Sequence, residues 1–126
     1  MSLTSIASTH EVLNIEELLT RCMGNINFAT RVLAKFQDRF EVDLLALDKA
    51  IVAHDADAVA SIAHRIKGAS ANVAAPQLHE CSAELEQWGR AGSLADISTG
   101  VERLRQEWSR FTDQASSLDL SSRNVS

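Results

Sequence analysis

Apolar residues in this chain recur at intervals of three and four, and no segment alternates apolar and polar as a half-buried strand would. That regularity restricts the fold more than any other feature. Ala29, Leu33, Phe36, Phe40, Leu44, Leu47 and Ile51 form one continuous stripe. Val59, Ile62, Ile66, Ala69 and Val73 form a second, supported by Ala63 and Ser70. Leu78, Cys81, Leu85 and Trp88 form a third; Leu94, Ile97, Val101, Leu104, Trp108, Phe111, Ala115 and Leu118 form a fourth. Each stripe marks a helix that must bury one face. Short connections between four such segments predict an all-α antiparallel four-helix bundle.

The ends of the segments carry matching signals. In "NIEELLTRCMG", Asn14 suits an N-cap, Glu17 is the third helical residue and Gly24 lies just past the end, so a short additional N-terminal helix is expected over about 15–23. Asn25 caps the next helix, Asp55 or Asp57 the one after, and Pro76 suits a first helical position. Gly100 reads as a weak point inside the last helix, costing about 1 kcal/mol relative to alanine. The domain is expected over 14–118, between a flexible N-terminus (1–13) and a flexible polar tail (119–126).

Composition removes several classes of function. A chain of 126 residues, 45% hydrophobic, can bury a core without disulfides or metal. A net charge of −5 disfavours a nucleic-acid partner, which wants a basic face. No apolar run is long enough for a membrane span, and "MSLTSIASTH" lacks the basic start and apolar core of a secretory leader. Cys22 and Cys81 each sit at helical core spacing and read as buried free thiols of a cytoplasmic protein. His10, His54, His64 and His79 show no zinc-like pairing, so no metal and no cofactor are expected. His10 falls in the flexible end, His54 at a helix C-terminus and His79 on the surface. No serine–histidine–acid set can be assembled, which argues against a hydrolase.

The stretch "SIAHRIKGASANVAA" (61–75) is where chemistry concentrates. At about 100° per residue, His64 points roughly 155° from the centre of its helix's apolar stripe, towards water. Its neighbours one and two turns away are small: Ala60, Ser61, Gly68 and Ala71. Lys67 lies at i+3. A mid-helix glycine is costly unless something needs the space. An exposed imidazole in a cleared patch, with a cation beside it, suits a partner docking onto a reactive histidine. Imidazole is nucleophilic near neutral pH and can carry a phosphoryl group, and Lys67 would offset the added charge. The chain has no P-loop and no glycine-rich phosphate cradle, so the phosphoryl group would come from a partner.

"AHRIKGASANVAAPQL" resembles the signature of histidine-containing phosphotransfer (HPt) domains, His-x-(Leu/Ile)-Lys-Gly-(Ser/Ala)-(Ser/Ala) followed by a small-residue connection. His64, Ile66, Lys67, Gly68, Ala69 and Ser70 match in order. "CSAELEQWGRAG" is similar to the family's fourth helix and "GNINFATRVLAKF" to its second, so the resemblance spans about 14–118. It implies a relay protein without autokinase activity that moves phosphate between receiver-domain aspartates through His64, with Lys67 as charge partner and Gly68 as clearance. The implied partners are response-regulator receiver domains, including those of hybrid histidine kinases, and the chain is expected to be a monomer. Ala60, Ser61, Ala71 and the off-stripe Phe28 are expected to form the docking surface. Two departures stand out. The family often has glycine at the position of Ala74. Some members place a glutamine near the histidine where this chain has Glu86, which would orient the imidazole but repel a phosphorylated His64. Arg90, one turn on, can pair with Glu86. The competing reading is a bundle that keeps the fold as a scaffold and has lost transfer.

Overall fold

The structure is a computed structural model and describes residues 12–118, which hold five helices and no strand. They are α1 (Ile15–Arg21), α2 (Ile26–Val52), α3 (Ala56–Asn72), α4 (Pro76–Ala91) and α5 (Leu94–Ser117). Helices α2 to α5 pack in sequence, α3 lies most extensively along α4, and α2 meets α5 to close the bundle. No described helix is long and apolar enough to cross a membrane.

The helix boundaries follow from capping. Asn14 Oδ1 accepts the Glu17 N–H (3.1 Å), Asn25 Oδ1 that of Phe28 (2.9 Å) and Asp55 Oδ1 that of Ala58 (3.0 Å). Asp55, rather than Asp57, is therefore the cap of α3. Pro76 takes the first position of α4. Helix α1 stops at Arg21, short of the expected 23, because Met23 (φ 58°) and Gly24 (φ 75°) both turn left-handed. His54 (φ 54°) and Ala74 (φ 60°) end α2 and α3 the same way. Ala75 N–H reaches back to Ser70 O (2.9 Å) and Ala74 N–H to Ala71 O (3.1 Å), satisfying the last carbonyls of α3. Ala74 thus keeps, without a glycine, the conformation that glycine would adopt at no steric cost, against about 1 kcal/mol for an L-residue.

The four stripes form one core. An aromatic cluster within it joins α2 to α5. Phe40 stacks on Trp108 with centroids 3.9 Å apart, and Phe36 meets Phe40, Trp108 and Phe111 edge-on. Trp108 Nε1 donates to Glu41 Oε2 (2.7 Å), so the indole is buried without losing its hydrogen bond. Cys22 and Cys81 are buried free thiols, and burial pushes the Cys81 thiol up to about 11.

Three expectations need correction. The domain begins before residue 14: Val12 and Leu13 are buried, and the Gln114 amide pairs with both the N–H (3.2 Å) and the carbonyl (3.1 Å) of Leu13. Leu94, the first residue of α5, is exposed, and burial of that helix begins at Ile97. Gly100 is not a defect: a Cβ there would lie 2.8 Å from the ring of Trp88, which fills the space. The remaining expected flexible segments and His10 lie outside the described residues.

A close backbone approach involves a glycine not singled out by periodicity. A Cβ on Gly89 of α4 would sit 2.8 Å from the backbone nitrogen of Ala60 on α3. Backbone cannot move aside as a flexible side chain can. We predict that Gly89→Ala forces α3 and α4 apart and destabilises the protein by about 1–3 kcal/mol, the usual range for overpacking, as measured by chemical denaturation.

Candidate functional site

Helix α3 presents His64 outward because Val59, Ile62, Ala63 and Ile66 are buried on its other side. The imidazole side chain is 64% exposed. Two ties fix the helix about its axis. On one flank Arg65 donates to the buried Asp43 of α2 through Nη2 (2.7 Å) and Nε (3.2 Å). On the other, His64 Nδ1 lies 3.1 Å from Glu86 Oε2 of α4. His79 of α4 is exposed as expected, yet its Nδ1 donates to Lys67 O (3.2 Å), a further tie between the helices.

Glu86 is the centre of the site. Its side chain is only 7% exposed, yet it meets three basic groups. Lys67 Nζ is 2.8 Å from Oε1, while Arg90 Nη2 (2.5 Å) and His64 Nδ1 (3.1 Å) share Oε2. Hydrogen bonds from Lys67 and then Arg90 hold this carboxyl at about 2, against the opposing effect of burial, with a smaller contribution from His64. Glu86 is therefore ionised at neutral pH and can only accept hydrogen bonds. It follows that Nδ1 is the protonated ring nitrogen and that the lone pair of the neutral imidazole lies on Nε2.

Lys67, beside the histidine, is ion-paired with Glu86 and 31% exposed, because the α3–α4 approach puts the carboxylate within its reach. Arg90 pairs with Glu86 as the one-turn spacing allows. Ala60 does not belong to an open docking face; it is 7% exposed because it packs against Gly89. It forms part of the lining of a depression shared by Asp57, Ser61, His64 and Arg90. Ser61 and Gly68 are exposed, and a Cβ on Gly68 would meet nothing within 4 Å. Ala71 is half-buried, and its carbonyl accepts from Arg21 of α1. Phe28, 45% exposed on the first turn of α2, makes no described contact with His64. The sequence reading missed Met23, which is exposed at the α1–α2 corner, and the Arg65–Asp43 tie. The apolar exposed methionine carries no periodic signal, and an acidic residue on a core face resembles a break in the stripe. Among the described residues no group of histidine, cysteine and acidic side chains is arranged to hold a metal ion.

The family model for the Hpt domain matches residues 31–114, two thirds of the chain. The chain belongs to the Hpt domain family. It is a phosphotransfer protein of the phosphorelay type. Its fold is similar to the crystal structure of histidine-containing phosphotransfer protein B from Pseudomonas aeruginosa PAO1, with 25% identity and a TM-score of 0.76 over 87% of this chain and 99% of that one. A rice protein assigned to the histidine-containing phosphotransfer class shares the fold at 18% identity, with a TM-score of 0.74 over 88% of this chain and 81% of that one. No curated protein sequence matches the chain.

The Glu86 cluster also fixes an acid response. Its carboxyl has an ordinary value of 4.5 and is held at about 2 in the folded protein. A depressed folded value means that the stabilisation is complete above the ordinary value and is lost as the pH falls towards the folded one. The Glu86 contribution to stability should therefore be present at neutral pH and decline between about 4.5 and about 2. Denaturant titrations across this range should show a shallower acid loss in Glu86→Gln than in the native protein.

Proposed function

We propose that this Hpt domain carries its phosphoryl group on Nε2 of His64, taking it from, and passing it to, aspartates of receiver domains. The observation that supports this most is the exposed imidazole whose Nδ1–H is held by a buried carboxylate. That bond selects the tautomer and aims Nε2 away from the bundle. In the forward step the Nε2 lone pair attacks phosphorus, the N–P bond forms, and the acyl phosphate P–O bond breaks to release the receiver's carboxylate. The Nδ1 proton stays on the ring, which becomes cationic and donates more strongly to Glu86. Lys67 and Arg90 border the site and offset the incoming charge. The protein itself needs no nucleotide and no metal in this scheme.

Docking uses the open side of α3. Ser61 and Gly68 flank His64 along the helix, and we assign to the same face the half-buried Ala71 and the exposed Phe28 and Met23. Gly68 supplies clearance for the receiver, since nothing inside the domain occupies the place of its missing side chain. We assign the partners as receiver domains, including those of hybrid kinases, and the setting as the cytoplasm, with the chain acting as a monomer.

His64→Gln should leave stability within about 0.5 kcal/mol, as for surface positions generally, and abolish acid-labile labelling by a phosphorylated receiver. Label kept at the native level would remove His64 from the scheme; no label on the native chain with any receiver would favour a scaffold.

Stability and transfer should move apart at Gly68. Gly68→Ala should raise the melting temperature by a few degrees, since glycine in a helix costs about 1 kcal/mol relative to alanine. Gly68→Gln should fold, accept phosphate from phosphoramidate, and lose on the order of 100-fold in transfer from a receiver held about 1 Å too far away. Full transfer in that variant would show that the surface beside His64 is not the docking site.

A further inference from the structure

We propose that Glu86 sets the phosphoryl-transfer potential of this domain: by holding Lys67 and Arg90 in the resting state, it weakens the hold of the site on the phosphoryl group and favours its onward passage. The inference rests on His64 being the acceptor.

The argument is one of competition for two cations. In the resting protein the Glu86 carboxylate is fully satisfied, with Lys67 on Oε1 and Arg90 and His64 on Oε2. One carboxylate against the two cations leaves the cluster with a net charge of +1. A phosphoryl group on Nε2 brings three oxygens that seek the same donors. Lys67 and Arg90 must then be shared, or be withdrawn from a carboxylate that is 7% exposed and has little water to replace them. A neutral amide at position 86 could still accept the Nδ1–H bond and keep the imidazole in place. It would make no demand for charge, and the cluster would meet the phosphoryl group with a net charge of +2. The carboxylate does gain a stronger bond to the ring once phosphorylation makes it cationic, but the phosphoryl oxygens bring up to two negative charges against that one positive charge, so the net effect of the carboxylate is to raise the energy of the loaded state relative to the resting one. The balance is favourable for a relay, in which the histidine must give up what it receives. Glu86 acts here as a positioning residue through Lys67 and Arg90, without touching the transferred group.

The test is the loading equilibrium with phosphoramidate at a fixed ammonium concentration, read by intact mass and phosphorus NMR. Here Nε2 displaces ammonia from phosphorus, so no receiver is involved. Glu86→Gln should shift the equilibrium towards the phosphorylated protein by on the order of tenfold, the effect of one unit charge a few ångströms away in a partly solvated site. The effect of Lys67→Ala separates this role from a merely structural one. Removing the lysine should lower loading only slightly in the native chain, where Glu86 occupies it, and several-fold more in the Glu86→Gln protein, where it is free. Should Glu86→Gln fail to fold, Glu86→Asp, which withdraws the carboxylate by one methylene, should shift loading in the same direction by less. Equal loading of the native and Glu86→Gln proteins, or a Lys67→Ala effect of the same size in both, would overturn the proposal. Absence of any loading of native His64 would instead overturn the acceptor assignment on which it rests.

Discussion

The near-contact of α3 and α4 at Ala60 and Gly89 is the constraint from which the site follows. A helix pair can approach this closely only where neither side chain intervenes, and here one partner has no Cβ and the other only a methyl. The consequence is felt on the neighbouring turns. Glu86 is one turn before Gly89 and His64 one turn after Ala60. With the backbones drawn together between them, the carboxylate reaches the imidazole at 3.1 Å and the Lys67 ammonium at 2.8 Å. A wider spacing would leave Glu86 pointing into solvent, with Arg90 as its local partner. The contact is thus structural in its residues and functional in its effect.

Burying a carboxylate is costly, and the cluster shows how that cost is met. Lys67, Arg90 and His64 all reach Glu86 from the solvent side, while the residue itself is closed in by α3 and α4. The cations remain partly hydrated, so their own desolvation is small, while the anion gains several charge-assisted hydrogen bonds. The favourable result is visible in the carboxyl being held at about 2. Asp43 repeats the solution on the opposite flank of α3, buried beneath Arg65 and with Arg39 at 3.8 Å. Neither acid could be exchanged for an apolar residue without releasing α3 on that side, which is where specificity of orientation comes from.

Much of this fold could be read from residue spacing. The stripes at threes and fours located four long helices; Asn25 and Pro76 marked the beginnings of two of them, and Asn14 that of the short α1. The outward direction of His64 also followed, because an angle around a single helix depends only on its own residues. What could not be read depends on how two helices sit against each other. Ala60 and Ser61 are adjacent small residues on a polar face, but one is covered by Gly89 and the other is open. The ion pair of Lys67 was hidden for the same reason: its partner lies nineteen positions away on another helix. Val12 and Leu13 precede every helix signal and are buried, and the backbone of Leu13 pairs with the amide of Gln114, 101 positions away.

The order His64-Arg65 acquires a meaning from these contacts. Consecutive residues on a helix diverge by about 100°, so side chains at adjacent positions reach different neighbours. Arg65 reaches back to α2 and His64 to α4, and each ends on a buried acid. Helix α3 is held from both sides at His64 and the residue beside it. Rotation of α3 would have to break one of these pairs and strip a buried acid of a partner. The imidazole is thereby kept in one direction although most of its surface is in water. Orientation of an exposed side chain has to come from its neighbours, since packing cannot supply it, and here it comes from two carboxylates on the helices to either side.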